Sequence, residues 1–479
     1  MTSHLRAVAT ITLAATLAAC GVVTPKPTNQ AIQAVEESKG YRRITTDRMD
    51  EVGDSIVLLA FSGGGTRAAS LSYGVMQELR DTRITRDGQE IRLLDEVDNI
   101  SGVSGGSFTA AYYGAFREQL FEDFETVFLR QNVQSTLIRK MFSPGYWVNS
   151  TFSGFDRTEM AIDFYDRTIF KGATFADIEA NGTPFIDINA TDLTTGMRFT
   201  FSQELFDFIC SDLSTFKIAR AVTASSAVPV AFPPVVLENH ADQCDLDDTQ
   251  EWALLEKARA SDDVGASQLQ LLDDLESLRD AERRRYIHLV DGGISDNLGL
   301  RAMIDRLEGM GDERFEKLGE QGIKNLVVIL VNAGVERESF IEQSAKKPGA
   351  ATTMSAYIDS QMKRFDQETI ARIRENVEEY QQRALAEGLP LQIFFTEVSF
   401  DDIQYKDARN IFNRMPTSLE LSDREVDQLI AAGRLILRRD ASYQRFLERN
   451  QGRLTGNALD DANLCELFEV ESCAEFQNP

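Results

Sequence analysis

The chain has 479 residues, enough for one large domain with elaborations. Its 50 basic and 76 acidic side chains leave a formal net charge of −26. That charge argues against nucleic acid as a partner and disfavours nonspecific adsorption to anionic lipid, and most of it reads as a solvated acidic surface.

The first 19 residues carry Arg6 and then an apolar run from Ala7 to Ala19. The run is too short to span a bilayer stably and reads as a secretory signal. It ends Leu17-Ala18-Ala19-Cys20-Gly21, which resembles a bacterial lipobox. The resemblance implies cleavage before Cys20 and lipidation of its thiol, each buried CH₂ adding about 0.8 kcal/mol to membrane binding. Gly21 in place of an aspartate implies, by the sorting pattern of such lipoproteins, an exported envelope protein of the outer membrane. Residues 20–50 are expected to form a lipidated tether, because 21–45 are polar and hold two prolines.

A catalytic core is expected over 51–335. Ile56 to Phe61 is a plain buried strand that runs into Ser62-Gly63-Gly64-Gly65-Thr66-Arg67 and then a helix over 68–80. Three successive glycines let a backbone approach a bound group and aim several N–H groups at one point, the requirement of an oxyanion hole. Gly63-x-Gly65-x-x-Ala68 also fits a dinucleotide fingerprint loosely. That alternative leaves the later motifs unexplained, and no G-K-[S/T] follows to make a triphosphate loop.

Val97 to Val103 is the next strand, and Gly102-Val103-Ser104-Gly105-Gly106 follows the G-x-S-x-G pattern, with a helix over 107–116. A serine on a sharp strand-to-helix turn needs small neighbours, and the helix start directs N–H groups toward a developing oxyanion. Ser104 is therefore the candidate nucleophile for acyl transfer. Further along come a strand at 184–190, the segment Asn189 to Gly196, and the block Ala224-Ser225-Ser226-Ala227-Val228-Pro229. Residues 240–285 interrupt the core with a polar helical pattern, either a lid over the site or a surface hairpin.

The base is constrained by how few histidines there are: His4, His240 and His288. His4 lies in the signal, and no histidine follows His288. His288 sits three residues before Asp291 on the strand Tyr286 to Asp291, so the two side chains face opposite sides. His240 opens an acidic stretch and reads as ordinary surface. Asp291 ends an apolar run before Gly292-Gly293 and is the better base, provided that partial desolvation raises its affinity for a proton. The alternative is a tight Asp-Gly turn.

A strand over 325–331 completes the core. The remainder, 336–479, is expected as a helical and strand extension packed on it, with a helix at 354–387, a strand at 391–398 and a helix at 423–437 whose apolar positions face the body. An exported compartment makes disulfides plausible among Cys210, Cys244, Cys465 and Cys473. Four cysteines allow three pairings, of which the local Cys465–Cys473 with Cys210–Cys244 is the favoured one. No metal-ligand cluster or cofactor motif is found.

The order Gly63-Gly64-Gly65-x-Arg67, then G-x-S-x-G, then Asp-Gly-Gly, with the Ala-Ser-x-x-x-Pro block between, resembles the patatin-like phospholipases over roughly 54–240 and 285–335. Ala68 departs from the glycine that often follows the arginine. The resemblance implies an α/β, three-layer fold with a central, mostly parallel sheet and helical insertions. It implies a Ser–Asp dyad of Ser104 and Asp291 without histidine, and an oxyanion hole of Gly63, Gly64 and Gly65. Arg67 would order that loop or meet a substrate phosphate. The expected function is a lipid acyl-ester hydrolase, a phospholipase A or lysophospholipase acting on phospholipid. A thioesterase or small-ester hydrolase with the same dyad, and a non-catalytic envelope scaffold, are the alternatives.

Overall fold

Asn325–Asn332 (NLVVILVN) is apolar between its two end asparagines and rich in β-branched residues, so it must be covered on both faces. The computed structural model describes residues 27–43, 53–86, 88–143, 156–182, 184–229, 231–246, 249–260, 266–308, 322–336, 341–342, 344–403, 406–456 and 467–468. In it this segment lies inside an eight-stranded sheet. The strands in chain order are β1 (Ser55–Phe61), β2 (Val97–Val103), β3 (Phe185–Asp192), β4 (Arg198–Thr200), β5 (Val235–Glu238), β6 (Tyr286–Asp291), β7 (Asn325–Asn332) and β8 (Gln392–Ser399). Across the sheet they run β8-β7-β1-β2-β3-β6-β5, with β4 beside β3. From β8 to β3 every neighbour is parallel, whereas β6 and β5 are antiparallel.

The principal helices are α1 (Thr66–Asp81), α2 (Gly105–Phe116), α3 (Ile218–Ser225), α4 (Gln250–Arg259), α5 (Ala266–Leu278), α6 (Ala350–Glu387) and α7 (Asp423–Arg439). They make the sheet the middle of three layers. On β7, Val327, Ile329 and Val331 join the core that holds Leu71, Val75 and Leu79 of α1. The alternate residues Leu326, Val328 and Leu330 join a second core with Ile373 and Ala384 of α6. The expected architecture, with its mostly parallel sheet and helices on both faces, is the one observed. The helix expected at 423–437 is α7, and it packs on α1 at glycine contacts. A side-chain carbon at Gly74 would come within 2.3 Å of the Ile430 carbonyl oxygen, and one at Gly433 within 2.4 Å of that of Leu71.

Two expectations are corrected. The stretch 27–43 of the expected tether does not hang free. Gln30–Ala31 pairs with Ser211–Asp212, Tyr41 is fully buried and stacks on Phe185 at 4.3 Å, and Arg42 and Asp207 form a buried ion pair of 2.6 Å. Polar composition suggested a solvated linker, but one buried aromatic and two ion-paired arginines, Arg42 and Arg43, hold the segment down. The 240–285 insertion, as a lid, would need its ends beside the active site. Its flanks, Glu238 and Tyr286, are paired with each other at the far end of β6 from Asp291, a separation of roughly 17 Å along extended chain. There Leu278 is buried and Arg279 lies over Trp252 at 4.2 Å. The premise for a lid is therefore not met, and the surface hairpin is the geometry that remains.

Cys210 and Cys244 are disulfide-bonded, as expected. The signal, Cys20 and the Cys465–Cys473 pair lie outside the described residues. Among the described residues no helix is long and apolar enough to cross a membrane.

Candidate active site

Parallel pairing brings the carboxyl ends of β1 and β2 side by side, and both strands run into glycine-rich loops. After β2 the chain turns abruptly at Ser104, whose φ of 48° and ψ of −118° lie in a region that non-glycine residues avoid. Such strain costs on the order of 1–3 kcal/mol and persists only where its surroundings enforce it. Here they do. The Ser104 N–H donates to Ser225 Oγ at 2.9 Å, and the Ser225 hydroxyl donates to the Asn189 carbonyl at 2.6 Å. The Ser104 carbonyl accepts from the Ser107 N–H at 3.0 Å and from its hydroxyl at 2.6 Å. Gly105 is obligatory for a different reason: a side-chain carbon there would come within 2.0 Å of the Gly65 carbonyl oxygen, because the glycine loop is seated directly on the elbow.

Antiparallel pairing of β6 with β3 sets Asp291 opposite Ala190, at the level where β2 ends. The Ser104 hydroxyl donates to Asp291 Oδ2 at 3.0 Å, and the Gly293 N–H donates to Oδ1 at 2.8 Å. Burial pushes the Asp291 carboxyl up to about 6, the two hydrogen bonds only partly offsetting it. The block 224–229 clamps this turn from below. The Asp291 N–H donates to the Ala227 carbonyl and the Gly292 N–H to the Ser225 carbonyl, each at 3.0 Å. Ser225 thus ties the two candidate residues together, its hydroxyl holding the Ser104 backbone and its carbonyl that of Gly292, next to Asp291.

The loop after β1 has Gly64 at φ 143° and Gly65 at φ 62°. The Gly63 N–H is already used, donating to the Asn297 carbonyl at 2.9 Å. This corrects the expectation that all three glycine amides face a substrate. Among the described residues no carbonyl accepts from the amides of Gly64, Gly65 or Gly105, the last being the residue after the serine and the first of α2.

Residues 59–304, more than half of the chain, match the patatin-like phospholipase family. The chain belongs to that family. Among solved structures it is similar to human GIVD cytosolic phospholipase A2, at 13% identity and a TM-score of 0.36. That similarity covers 58% of this chain and 46% of the other, so the chain matches less than half of that protein's length. No curated protein matches the chain.

Two further residues of this patatin-like core depart from the sequence reading. Arg67 is buried, with Nε donating to the Ala333 carbonyl and Nη1 to the Met415 carbonyl, both at 2.9 Å, and Nη2 to Thr417 Oγ1 at 3.1 Å. It orders the glycine loop by tying it to two later segments, and the expected alternative of a phosphate contact is corrected. His240 is buried, not on the surface, with Nδ1 3.3 Å from Gln243 Nε2. His288 is exposed on β6, on the face away from Asp291. Neither histidine is bonded to Ser104 or Asp291.

Asn297 and Asp366 carried no signal in the sequence. The Asn297 side-chain amide donates to Asp366 Oδ2 at 2.8 Å, so a carboxyl on α6, outside the family match, steadies the residue that takes the Gly63 N–H. Burial pushes the Asp366 carboxyl up to about 7. The only signal for Ser225 was its place in the Ala-Ser-x-x-x-Pro block.

Proposed function

We propose that the chain is a phospholipase A or lysophospholipase in which Ser104 is the nucleophile and Asp291 the general base. The observation that supports this most is the 3.0 Å hydrogen bond from a serine held at φ 48° to a buried carboxylate. Ser104 Oγ attacks the ester carbonyl while its proton passes to Asp291 Oδ2. The amides of Gly64, Gly65 and Gly105 receive the oxyanion of the tetrahedral intermediate. Collapse breaks the C–O bond to the lipid alcohol, which takes the proton from Asp291 and leaves a Ser104 acyl ester. Asp291 then takes a proton from water, the hydroxide oxygen attacks the acyl carbon, and the proton returns to Ser104 as the fatty acid departs.

The proposal includes export and lipidation at Cys20. Asn29 is fixed on the body by bonds to Ser211 and Glu238, so the chain from Cys20 to Asn29 can span at most about 32 Å even fully extended. The anchor would keep the body close to its membrane. The test of the chemistry is labelling with a serine-reactive fluorophosphonate. The unsubstituted chain should be labelled and release fatty acid from phospholipid, and Ser104→Ala should do neither. Labelling that persists in Ser104→Ala would remove Ser104 from its role.

A further inference from the structure

α6 is far longer than the layer it covers. Its 38 residues extend about 57 Å, whereas the eight residues of β8 extend about 26 Å. Its second half packs on the sheet through Ile373, Val377 and Ala384. A short turn at Gly388 leads into β8, so α6 runs antiparallel to β8 and its first turns overshoot the carboxyl ends of the parallel strands. That is the end where Ser104 follows β2.

The overshooting turns are joined to the site. The Met362 methyl lies against Gly293, where an added side-chain carbon would come within 2.8 Å of it, and the Asn297–Asp366 bond is one turn further along. Met354, Ile358 and Met362 repeat every four residues and form one stripe leading from the helix tip to the Asp291 turn. Tyr357 lies beside that stripe. Met354 is 51% exposed and Tyr357 62%. Two more exposed apolar side chains, Val228 and Ile294, stand next to residues that bond or border Asp291.

Charge decides what such a surface meets. Residues 346–364 hold Lys346, Lys347, Lys363 and Arg364 against one acidic residue, Asp359, in a chain whose net charge is −26. Lys363 pairs with Glu336 at 3.6 Å, and both are exposed. The net charge opposes a second copy and an anionic bilayer alike, but this basic stretch complements an anionic surface, and the exposed apolar side chains beside it suit a lipid one. An exposed apolar stripe with an interfacial tyrosine and flanking cations is the pattern of a helix that lies in a bilayer interface.

We propose that the first turns of α6 are the surface on which the enzyme docks to anionic phospholipid bilayers, with Met354, Tyr357 and Ile358 entering the interface and the flanking lysines meeting lipid phosphates. The proposal rests on the phospholipid reading above for its choice of lipid as the occupant. It makes the sequence expectation of weak attraction to anionic lipid true of the whole surface and false of this end.

The test uses the full chain carrying Cys20→Ala, so that no lipid is attached, and Ser104→Ala, so that vesicles stay intact. Co-sedimentation is measured with vesicles of equimolar phosphatidylglycerol and phosphatidylcholine and with phosphatidylcholine alone. Binding should be stronger to the anionic vesicles. Met354→Glu with Tyr357→Glu should weaken it at least about tenfold, since apolar area is replaced by charge. Lys346→Glu with Lys347→Glu should weaken it by roughly fivefold per lysine, on the anionic vesicles only. Thermal midpoints should stay within about 2 °C, because these residues are exposed. Undiminished binding by both double variants would overturn the proposal. So would a dimer in sedimentation velocity that Met354→Glu with Tyr357→Glu dissociates, since the occupant would then be a second copy. Restoring Ser104 separates the two readings: vesicle binding without fatty-acid release would sink the phospholipase reading and leave the docking surface supported.

Discussion

Asp291 and Glu78 are both buried carboxyl groups, at 7% and 0% exposure, and the protein treats them in opposite ways. Glu78, on α1, is held by Arg438 at 2.6 and 3.0 Å and by Arg434 at 3.1 Å, both reaching across from α7. Asp291 has a hydroxyl and an amide for partners, and among the described residues no cation pairs with it. The first arrangement compensates the charge and locks two helices together. The second leaves the carboxylate under-compensated and so keeps it basic enough to take a proton from serine. The difference separates the two halves of the chain by role. The family-matched core supplies the proposed nucleophile and base, and the residues after it supply cations, carbonyls and a carboxyl that brace that core.

The largest break in this comparison comes from neutralising Asp291. Asp291→Asn should lower turnover about 10³–10⁴-fold, because the amide cannot accept the proton. The same change should stabilise the fold at pH 7. A carboxyl whose folded-state pKa is raised contributes stability that is complete below about pH 4 and is lost as pH rises through about 6. Removing the charge should therefore recover on the order of 1–3 kcal/mol at pH 7, read from the urea midpoint. The activity of the unsubstituted chain should run the other way, rising about tenfold per pH unit up to about pH 6 and then levelling, as the carboxylate forms. A flat profile from pH 4 to 8 would deny Asp291 the role of base.

Glu78→Ala should show the reverse pattern. It leaves two guanidinium groups at a buried seam and should destabilise the fold by about 3 kcal/mol, the lower end for a broken buried pair, since Arg434 also bonds Asp81 at 2.7 Å. Turnover per folded molecule, measured well below the unfolding midpoint, should stay within about twofold. A selective fall in turnover without loss of stability would show that the seam acts on the chemistry directly.

Arg67→Lys probes the connection between the two regions and should have the smallest effect. One ammonium group cannot span the Ala333 and Met415 carbonyls and the Thr417 hydroxyl together, so the glycine loop loosens. The expected result is a fall in kcat of about tenfold with KM within twofold, as for a partly misplaced oxyanion donor. A rise in KM at constant kcat would instead put Arg67 in contact with substrate.

The sequence by itself determined the elements and the order of the motifs. Strand β7 is legible because six consecutive residues, 326–331, are apolar, and the elbow is legible because glycines must flank a strained serine on either side. These are local requirements, met within a few residues. The antiparallel β6, which brings a carboxyl 187 positions away within 3.0 Å of Ser104, could be inferred only as a pairing of motifs. What only the tertiary structure decided are the choices among partners distant in the chain. The Gly63 amide was committed to Asn297, Arg67 to carbonyls 266 and 348 residues further on, and Asn297 to a carboxyl 69 residues away on α6. Residues 27–43 read as linker because their composition is polar, yet they are docked, because Tyr41 and two arginines find buried partners that composition does not reveal. A hydrogen-bond donor is satisfied by whichever acceptor the fold brings near, and that is a property of packing across the whole chain and not of any stretch within it.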